Sequence, residues 1–263
     1  MELFDSHAHY NDDKFDEDRE ELIQKIYDSG VTRLINAGYS LESSKYALEI
    51  AKNYDWMYTI SGISPNDIPK EKNNLEEQLR KLEEFINKES HTNKIVAIGE
   101  IGLDYYWEKD EDKRKLQRYA FIKQIELANK FNLPIVIHTR EAVMDTLQIL
   151  KENKVEKKGV FHCCPLNREL VKEAIKLGFY ISFAGPVTFK NSKNANDIIE
   201  MVPLDKILIE TDSPYLSPEP HRGKRNDSRN VKYIAEKIAE VKQLCLEEVA
   251  KSTYENASRI FEM

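Results

Sequence analysis

Six side chains in this sequence are of types that bind divalent metal ions. They are four histidines and two carboxylates: His7, His9, His138, His162, Glu100 and Asp212. His7 and His9 are two residues apart, so in an extended segment both imidazoles point the same way and can reach one ion. Imidazole and carboxylate in combination suit zinc, manganese, iron and similar metals rather than calcium or magnesium alone. The residue types therefore predict a metal centre.

Six candidate ligands exceed the four of a single tetrahedral ion, which favours two ions in one site. In two-metal hydrolases the ions lie about 3.5–4 Å apart, and Glu100 is the natural candidate for a carboxylate that bridges them. Each residue alone also has a structural interpretation. Glu100 could be a buried acid paired with an arginine, and Asp212 could cap the turn before Pro214. Their shared position in the predicted fold is what favours the metal centre.

The elements that must position these residues alternate between short apolar segments and longer segments of helical periodicity. Eight apolar segments are predicted strands: residues 3–4, 34–35, 57–60, 95–98, 135–137, 160–161, 180–183 and 207–209. Continuous apolar strands separated by helices favour a parallel sheet covered by helices. Eight such units in 263 residues favour a (β/α)8 TIM-type barrel with an extra C-terminal helix. No linker-like segment divides the chain, so we expect one domain over residues 1–263.

A barrel of this kind would gather the candidate ligands at one place. His7 and His9 follow the first predicted strand, Glu100 follows the fourth, and the others end or follow strands five, six and eight. The carboxyl ends of barrel strands meet at one mouth, where TIM barrels carry out their chemistry. The long segment 213–230, rich in proline, glycine and charge, is expected to be a functional loop at that mouth.

Two histidines and two cysteines are not assigned to the centre. His91 lies in a polar stretch behind a predicted helix and is expected in a solvated loop, whereas His221, late in the 213–230 loop, stays ambiguous. Cys163 and Cys164 are expected to be small buried residues, because no separate His–Asp pair remains to activate a thiol.

Composition excludes several classes of protein. The 39 Lys and Arg against 46 Asp and Glu give a net charge of −7, which excludes a strongly basic nucleic-acid coat. Three cysteines form no disulfide framework. No apolar run approaches the roughly 18 residues of a membrane span, and the first residues do not resemble a secretory signal. We expect a cytoplasmic protein that needs no membrane and no obligatory protein partner.

Six segments, in order along the chain, carry a family resemblance. They are residues 5–9 (DSHAH), 97–106 (AIGEIGLDYY), 137–142 (IHTREA), 161–163 (FHC), 210–216 (ETDSPYL) and 222–226 (RGKRN). This pattern resembles the TatD family of metal-dependent deoxyribonucleases. The resemblance implies an amidohydrolase-type TIM barrel with two divalent ions, their identity open among Zn, Mn, Mg, Fe, Ni and Co. It implies that His7, His9, Glu100 and Asp212 hold the first ion. The second ion is implied at Glu100, His138 and His162.

The function expected from the resemblance is hydrolysis of phosphodiester bonds in DNA, at ends or on single strands, by a metal-activated water. Asp212 and Glu100 are the expected catalytic carboxylates, with Asp212 taking a proton from the water. Arg140, Arg222 and Lys224 are candidates for binding the phosphate, since guanidinium groups suit its oxygens. Tyr105 or Tyr106 could stack a base or simply pack at the barrel mouth.

Two departures from the family pattern bear on the substrate. The family commonly has G-[IV]-H-P-H after strand three, where this chain has Ser64 and Asn66 in place of the histidines, and Cys164-Pro165 also departs from its H-C-F-S-G segment. Both leave the six ligands intact. Two other functions therefore stay open: a metal-dependent hydrolase of a small ester, amide or aminoacyl bond, and a catalytically weak barrel that binds a partner.

Overall fold

Strands and helices alternate along the computed structural model, which describes all 263 residues. The strands are β1 Leu3–Ala8, β2 Val31–Ala37, β3 Met57–Ser61, β4 Ile95–Asp104, β5 Ile135–Arg140, β6 Gly159–Phe161, β7 Tyr180–Phe183 and β8 Ile207–Ile209. The helices are α1 Arg19–Asp28, α2 Leu41–Ala51, α3 Lys72–Glu89, α4 Glu111–Phe131, α5 Val143–Glu152, α6 Arg168–Lys176, α7 Ala195–Met201, α8 Val231–Lys242 and α9 Leu246–Ile260. None of these helices is long and apolar enough to cross a membrane.

All eight predicted strands are present, and they belong to one eight-stranded sheet whose order follows the chain from β1 to β8. The pairs β1–β2, β3–β4, β4–β5, β5–β6 and β7–β8 are parallel. One helix follows each strand, and α9 is the additional helix at the C-terminal end. This arrangement confirms the predicted (β/α)8 TIM-type barrel.

Contacts along the chain define two compact units. One consists of Met1–Asn36 together with His162–Met263. In its core, the ring of Phe4 in β1 packs edge-on against Tyr254 of α9 at 5.7 Å. The amide of Asn256 in α9 donates to the carbonyl of Ile207 in β8 at 2.9 Å. The last helix, α9, therefore packs against both β1 and β8.

The other unit is Ala37–Phe161, and β4 is its central element. All ten residues of β4 are buried, because the strand pairs with β3 on one side and β5 on the other. Gly102 of β4 faces His138 of β5, and a Cβ at Gly102 would lie 2.0 Å from the carbonyl oxygen of His138. Only glycine therefore allows the two strands to approach where a predicted ligand lies.

The three strands that contain predicted ligands extend further than their apolar runs predicted. β1 continues to Ala8, β4 to Asp104 and β5 to Arg140. His7, Glu100 and His138 thus lie inside strands, and the predicted placement of His7 and Glu100 beyond their strands is wrong. The apolar run marks only the part of each strand without functional side chains, since buried polar residues can continue a strand when they are hydrogen-bonded.

Candidate metal centre

Three ligand atoms from β1 and the segment after β8 converge. His7 Nε2 and His9 Nε2 are 3.2 Å apart, and His9 Nε2 is 3.2 Å from Asp212 Oδ1. His7 Nε2 is 3.8 Å from the same oxygen. A tetrahedral ion with bonds of roughly 2.0–2.1 Å separates its ligand atoms by about 3.3 Å. These three atoms therefore have the spacing of three corners of a metal coordination shell.

The backbone fixes this spacing. The Asp212 N–H donates to the His7 carbonyl at 2.9 Å, and the His9 N–H donates to the Ser213 carbonyl at 2.7 Å. Asp212 has φ 56°, in the left-handed region that aspartate tolerates better than most residues. Backbone hydrogen bonds thus join the two segments at the residues whose side chains are the candidate ligands.

Asp5 supports the same junction from within the core. Its carboxylate accepts hydrogen bonds from Thr211 N at 2.9 Å and Thr211 Oγ1 at 2.6 Å. The N–H of His7 lies 3.3 Å from Asp5 Oδ1. Burial is the largest influence on this carboxyl and raises its pKa to about 7, although the hydrogen bonds from Ser228, Thr211 and His7 act in the opposite direction. Asp5 therefore positions His7 directly, and it positions Thr211, the residue before Asp212.

His162 lies beside His7, with ring centroids 4.1 Å apart and planes 16° from parallel. One ligand atom from each of His7, His162 and Asp212 falls within 4.8 Å of the others. His162 Nδ1 lies 3.4 Å from Glu210 Oε1, and the same oxygen accepts the Cys163 N–H at 2.6 Å. A carboxylate beside one ring nitrogen is typical of metal-binding histidines, since it orients the ring and leaves the other nitrogen for the ion.

In the other unit, His138 is held between two carboxylates. His138 Nδ1 is 3.0 Å from Glu100 Oε1, and His138 Nε2 is 3.0 Å from Asp104 Oδ2. Burial raises the pKa of Asp104, but hydrogen bonds from His138, the Trp107 N–H and Asn66 outweigh it, so the pKa is lowered. Asp104 is therefore an ionised carboxylate that accepts a hydrogen bond from Nε2 of His138, with Nδ1 directed toward Glu100.

Asp212 is also held in its ionised form. Burial is the largest influence and raises its pKa, but the hydrogen bond with His9 and the charges of His9, His162 and His7 together lower it. A carboxylate in this state can coordinate a cation and accept a proton. Imidazole nitrogens and carboxylate oxygens at coordination spacing therefore fit a divalent metal ion.

The three basic residues predicted to bind phosphate are all exposed. The Arg140 guanidinium stacks on the Tyr106 ring at 3.7 Å, and that of Arg222 lies 4.2 Å from the Phe189 ring. Lys224 lies in the same loop as Arg222, directly before Arg225. Their role in substrate binding stays a prediction.

The remaining histidines and cysteines have structural contacts. His91 is exposed as predicted, with Nδ1 2.9 Å from the Lys88 carbonyl. His221 Nε2 lies 3.2 Å from the Tyr233 hydroxyl. Cys164 is buried as predicted, and burial together with the charge of Glu210 raises the pKa of its thiol. Cys163 is only half-buried.

Asp5, Asp104 and Glu210 are supporting residues that the sequence interpretation missed. Asp5 and Glu210 each lie two residues before a predicted ligand, and Asp104 lies four residues after Glu100. Side chains an even number of residues apart lie on the same face of a strand. The spacing of two between Asp5 and His7 within β1 was the available signal, whereas Glu210 and Asp212 lie beyond the end of β8.

A barrel of parallel strands with clustered histidines and carboxylates at strand ends defines the class of metal-dependent barrel hydrolases. The family model described as "TatD related DNase" matches residues 4–262. The chain belongs to the TatD family, and it is a metal-dependent hydrolase.

Individual relatives agree with this assignment. The chain is 43% identical over 260 residues to the uncharacterized metal-dependent hydrolase YabD of Bacillus subtilis, covering 98% of each protein. It is 46% identical over 168 residues to YcfH of Escherichia coli K12, also named an uncharacterized metal-dependent hydrolase, covering 64% of this chain and 63% of YcfH. The crystal structure of YJJV, a TatD homolog from Escherichia coli K12, superimposes with a TM-score of 0.91 at 25% identity, covering 99% of this chain and 98% of that one.

Proposed function

We propose that this protein hydrolyses phosphodiester bonds in DNA, at strand ends or in single strands. The observation that carries the proposal is the convergence of His7 Nε2, His9 Nε2 and Asp212 Oδ1 at coordination spacing. The family model that matches the chain is described as a DNase, whereas the curated relatives are named only as hydrolases. The bond type is therefore the part of the proposal that needs a direct test.

The proposed centre contains two ions. The family pattern assigns His7, His9, Glu100 and Asp212 to the first ion, and Glu100, His138 and His162 to the second. Two features support it: His138 Nδ1 is directed at Glu100, and His162 has a carboxylate beside Nδ1 that leaves Nε2 for an ion. When bound, such ions supply an acidified water and stabilise charge on the phosphoryl oxygens.

The protein's own residues then have separate tasks. His7 and Glu100 are held in position by the strands that carry them, and His9 by the hydrogen bond from its N–H to the Ser213 carbonyl. Asp212 directs Oδ1 at His9, so its second carboxylate oxygen is the acceptor for the proton lost by the attacking water. Arg140, Arg222 and Lys224 bind the phosphate and counter its charge.

The charge of the chain favours short or frayed substrates. With a net charge of −7, binding of a long duplex through many phosphate contacts would meet repulsion. Affinity then depends on the ions, a few basic side chains at the mouth and contacts with exposed bases. Single strands and frayed ends offer such bases, whereas an intact duplex does not.

The test is hydrolysis by chelator-treated protein with and without added Mn, Zn, Mg or Co. Labelled single-stranded and duplex oligonucleotides are compared with an aminoacyl-tRNA and small esters. We expect metal-dependent cleavage of the single strand, and His138→Ala purified in parallel controls for contaminating nuclease. Ester or aminoacyl hydrolysis without DNA cleavage would replace the proposal with the small-substrate alternative. No reaction on any substrate would favour a partner-binding barrel.

A further inference from the structure

An exposed aromatic surface follows β4, directly after the segment that carries Glu100 and Asp104. Trp107 is 66% exposed and Tyr106 is 39% exposed, and Trp107 is the most exposed aromatic side chain of the chain. Their rings meet edge to face, with centroids 4.8 Å apart and planes at 84°. An indole that stays exposed on the folded surface does not gain the free energy of burial. A ligand that covers the indole gains that free energy on binding.

Arg140 completes this surface from the end of β5. Its guanidinium carbon lies 3.7 Å from the centre of the Tyr106 ring and 5.6 Å from that of Trp107. Stacking on Tyr106 is a cation–π contact that uses the face of the guanidinium and not its in-plane N–H donors. An aromatic face and a fixed guanidinium thus lie side by side.

Asp104 connects this surface to the metal-binding residues. Asp104 Oδ1 accepts the backbone N–H groups of Tyr106 at 3.0 Å and Trp107 at 3.1 Å. Asp104 Oδ2 lies 3.0 Å from His138 Nε2 and accepts from Asn66 Nδ2 at 3.3 Å. One carboxylate therefore fixes both the aromatic turn and the orientation of His138.

A cleft of about 150 Å³ lies against Trp107. Its other walls include Pro65, Asn66, Ile68, Pro69 and Gln117. Glu108 and Lys113, which also line it, form an ion pair at 3.3 Å and so bring little net charge. The lining brings little net charge to the cleft, and Asn66, one of the residues that depart from the family pattern, provides an amide on its wall.

We propose that Trp107, Tyr106 and Arg140 form a subsite for one unstacked nucleobase of a single-stranded substrate. The base stacks on Trp107, and Arg140 binds a neighbouring phosphate. This inference rests on the proposed function, because a phosphodiester at His138 would place its flanking nucleotide within reach of this surface. Stacking on an aromatic ring is available to every base but not to bases paired within a duplex. The subsite therefore selects single strands without selecting sequence.

The experiment compares two single-stranded oligonucleotides that differ only in the presence of bases. One is a fluorescein-labelled oligothymidylate, and the other has the same backbone with abasic tetrahydrofuran residues. Dissociation constants are measured on chelator-treated protein, and KM is measured on metal-loaded protein. The variants are Trp107→Ala, Trp107→Phe and Arg140→Ala, with Tyr46→Ala as a control for loss of an exposed aromatic residue elsewhere.

We expect Trp107→Ala to raise the dissociation constant for oligothymidylate about 5- to 150-fold, the range that corresponds to losing one stacked base. Trp107→Phe should recover most of this affinity, and Tyr46→Ala should change it less than twofold. Neither change at Trp107 should affect the abasic oligonucleotide. Arg140→Ala should weaken both oligonucleotides and reduce the salt dependence of binding by about one phosphate contact.

Equal losses on the base-containing and abasic oligonucleotides would overturn the subsite, as would unchanged binding by Trp107→Ala. Failure of the proposed function is distinguishable, because it appears as absence of cleavage by the wild-type enzyme on every oligonucleotide. The binding comparison on metal-free protein still decides the subsite in that case. Recovery by Trp107→Phe excludes a folding defect as the cause of the loss.

Discussion

His138 and Asp104 form a close pair, with Nε2 and Oδ2 3.0 Å apart and Asp104 almost fully buried. In the neutral imidazole, donation from Nε2 to this carboxylate leaves the lone pair on Nδ1, which faces Glu100. A second carboxylate thus determines which nitrogen of His138 is available to an ion. The relationship makes Asp104 a positioning residue for the metal centre.

Replacing Asp104 with asparagine should weaken metal binding. Asn lacks the charge that stabilises the N–H of His138 and can present its amide nitrogen instead, so the ring loses its fixed tautomer. Loss of such a partner typically costs about 10- to 100-fold in metal affinity. Calorimetric titration of chelator-treated Asp104→Asn with zinc or manganese measures this, with the exposed Asp205→Asn as a control. Unchanged affinity would reduce Asp104 to a structural role in the turn.

Removal of single ligands should separate the centre from histidines elsewhere. His138→Ala and His162→Ala should lower activity by orders of magnitude and reduce bound metal, because each would remove a ligand of the proposed second ion. His91→Ala should leave both unchanged, since this exposed side chain contacts only a backbone carbonyl. Metal content is measured by elemental analysis, activity on a labelled oligonucleotide, and folding by thermal unfolding. Equal damage by His91→Ala would show that the centre is misplaced.

Asp212→Asn should abolish turnover and leave substrate affinity within about tenfold. Asn keeps one oxygen near His9 but cannot accept a proton from the attacking water. Loss of a general base costs about 10²–10⁴ in rate. Single-turnover cleavage beside a binding titration at fixed salt gives both quantities. Near-normal cleavage would assign the base to another group, and loss of binding with metal retained would make Asp212 a residue that positions substrate.

Asp5 should make the stability of the metal-free protein depend on pH. Its pKa of about 7 in the folded protein exceeds the ordinary value of 3.8, so the folded state retains a proton that the unfolded chain has released. The unfolding free energy therefore falls as pH rises through this window, by about 2 kcal/mol between pH 5 and pH 7. Asp5→Asn has no such carboxyl and should lack this part of the decline.

Urea unfolding of both proteins at the two pH values, after chelation, measures the difference between their slopes. Taking the difference removes the contribution of histidines that titrate in the same range. Parallel stability curves for wild type and Asp5→Asn would show that the carboxyl is ionised in the folded state at pH 5.

The sequence predicted the fold because each of the eight strands has an apolar core of its own. The run 207–209, for example, is the whole of β8. It predicted strand ends poorly, since Glu100 and His7 continue their strands through hydrogen bonds that no periodicity encodes. The supporting carboxylates were missed for a similar reason: Glu210 resembles an ordinary strand-end acid until its contact with the Cys163 N–H is seen.

The placement of the aromatic turn also could not be predicted from the sequence. Tyr105 and Tyr106 were interpreted together, but the structure separates them: Tyr105 is buried, with its hydroxyl donating to Asp145 at 2.6 Å. Trp107, one residue further, is exposed. A shift of one or two residues in a turn changes which aromatic ring is exposed to water. Here the N–H groups of Tyr106 and Trp107, which donate to Asp104, fix the register of the turn.

Two pairs of side chains described above become available at different times during synthesis of the chain. Asp104 and His138 are 34 residues apart, whereas His9 and Asp212 are 203 residues apart. Closing the longer loop costs about 1.6 kcal/mol more chain entropy. It also requires that residue 212 has been synthesised, because proteins emerge from the N-terminus onward. A nascent or prematurely ended chain that stops before residue 212 contains Asp104 and His138 but lacks Asp212, so we expect hydrolytic capacity only after residue 212 has emerged.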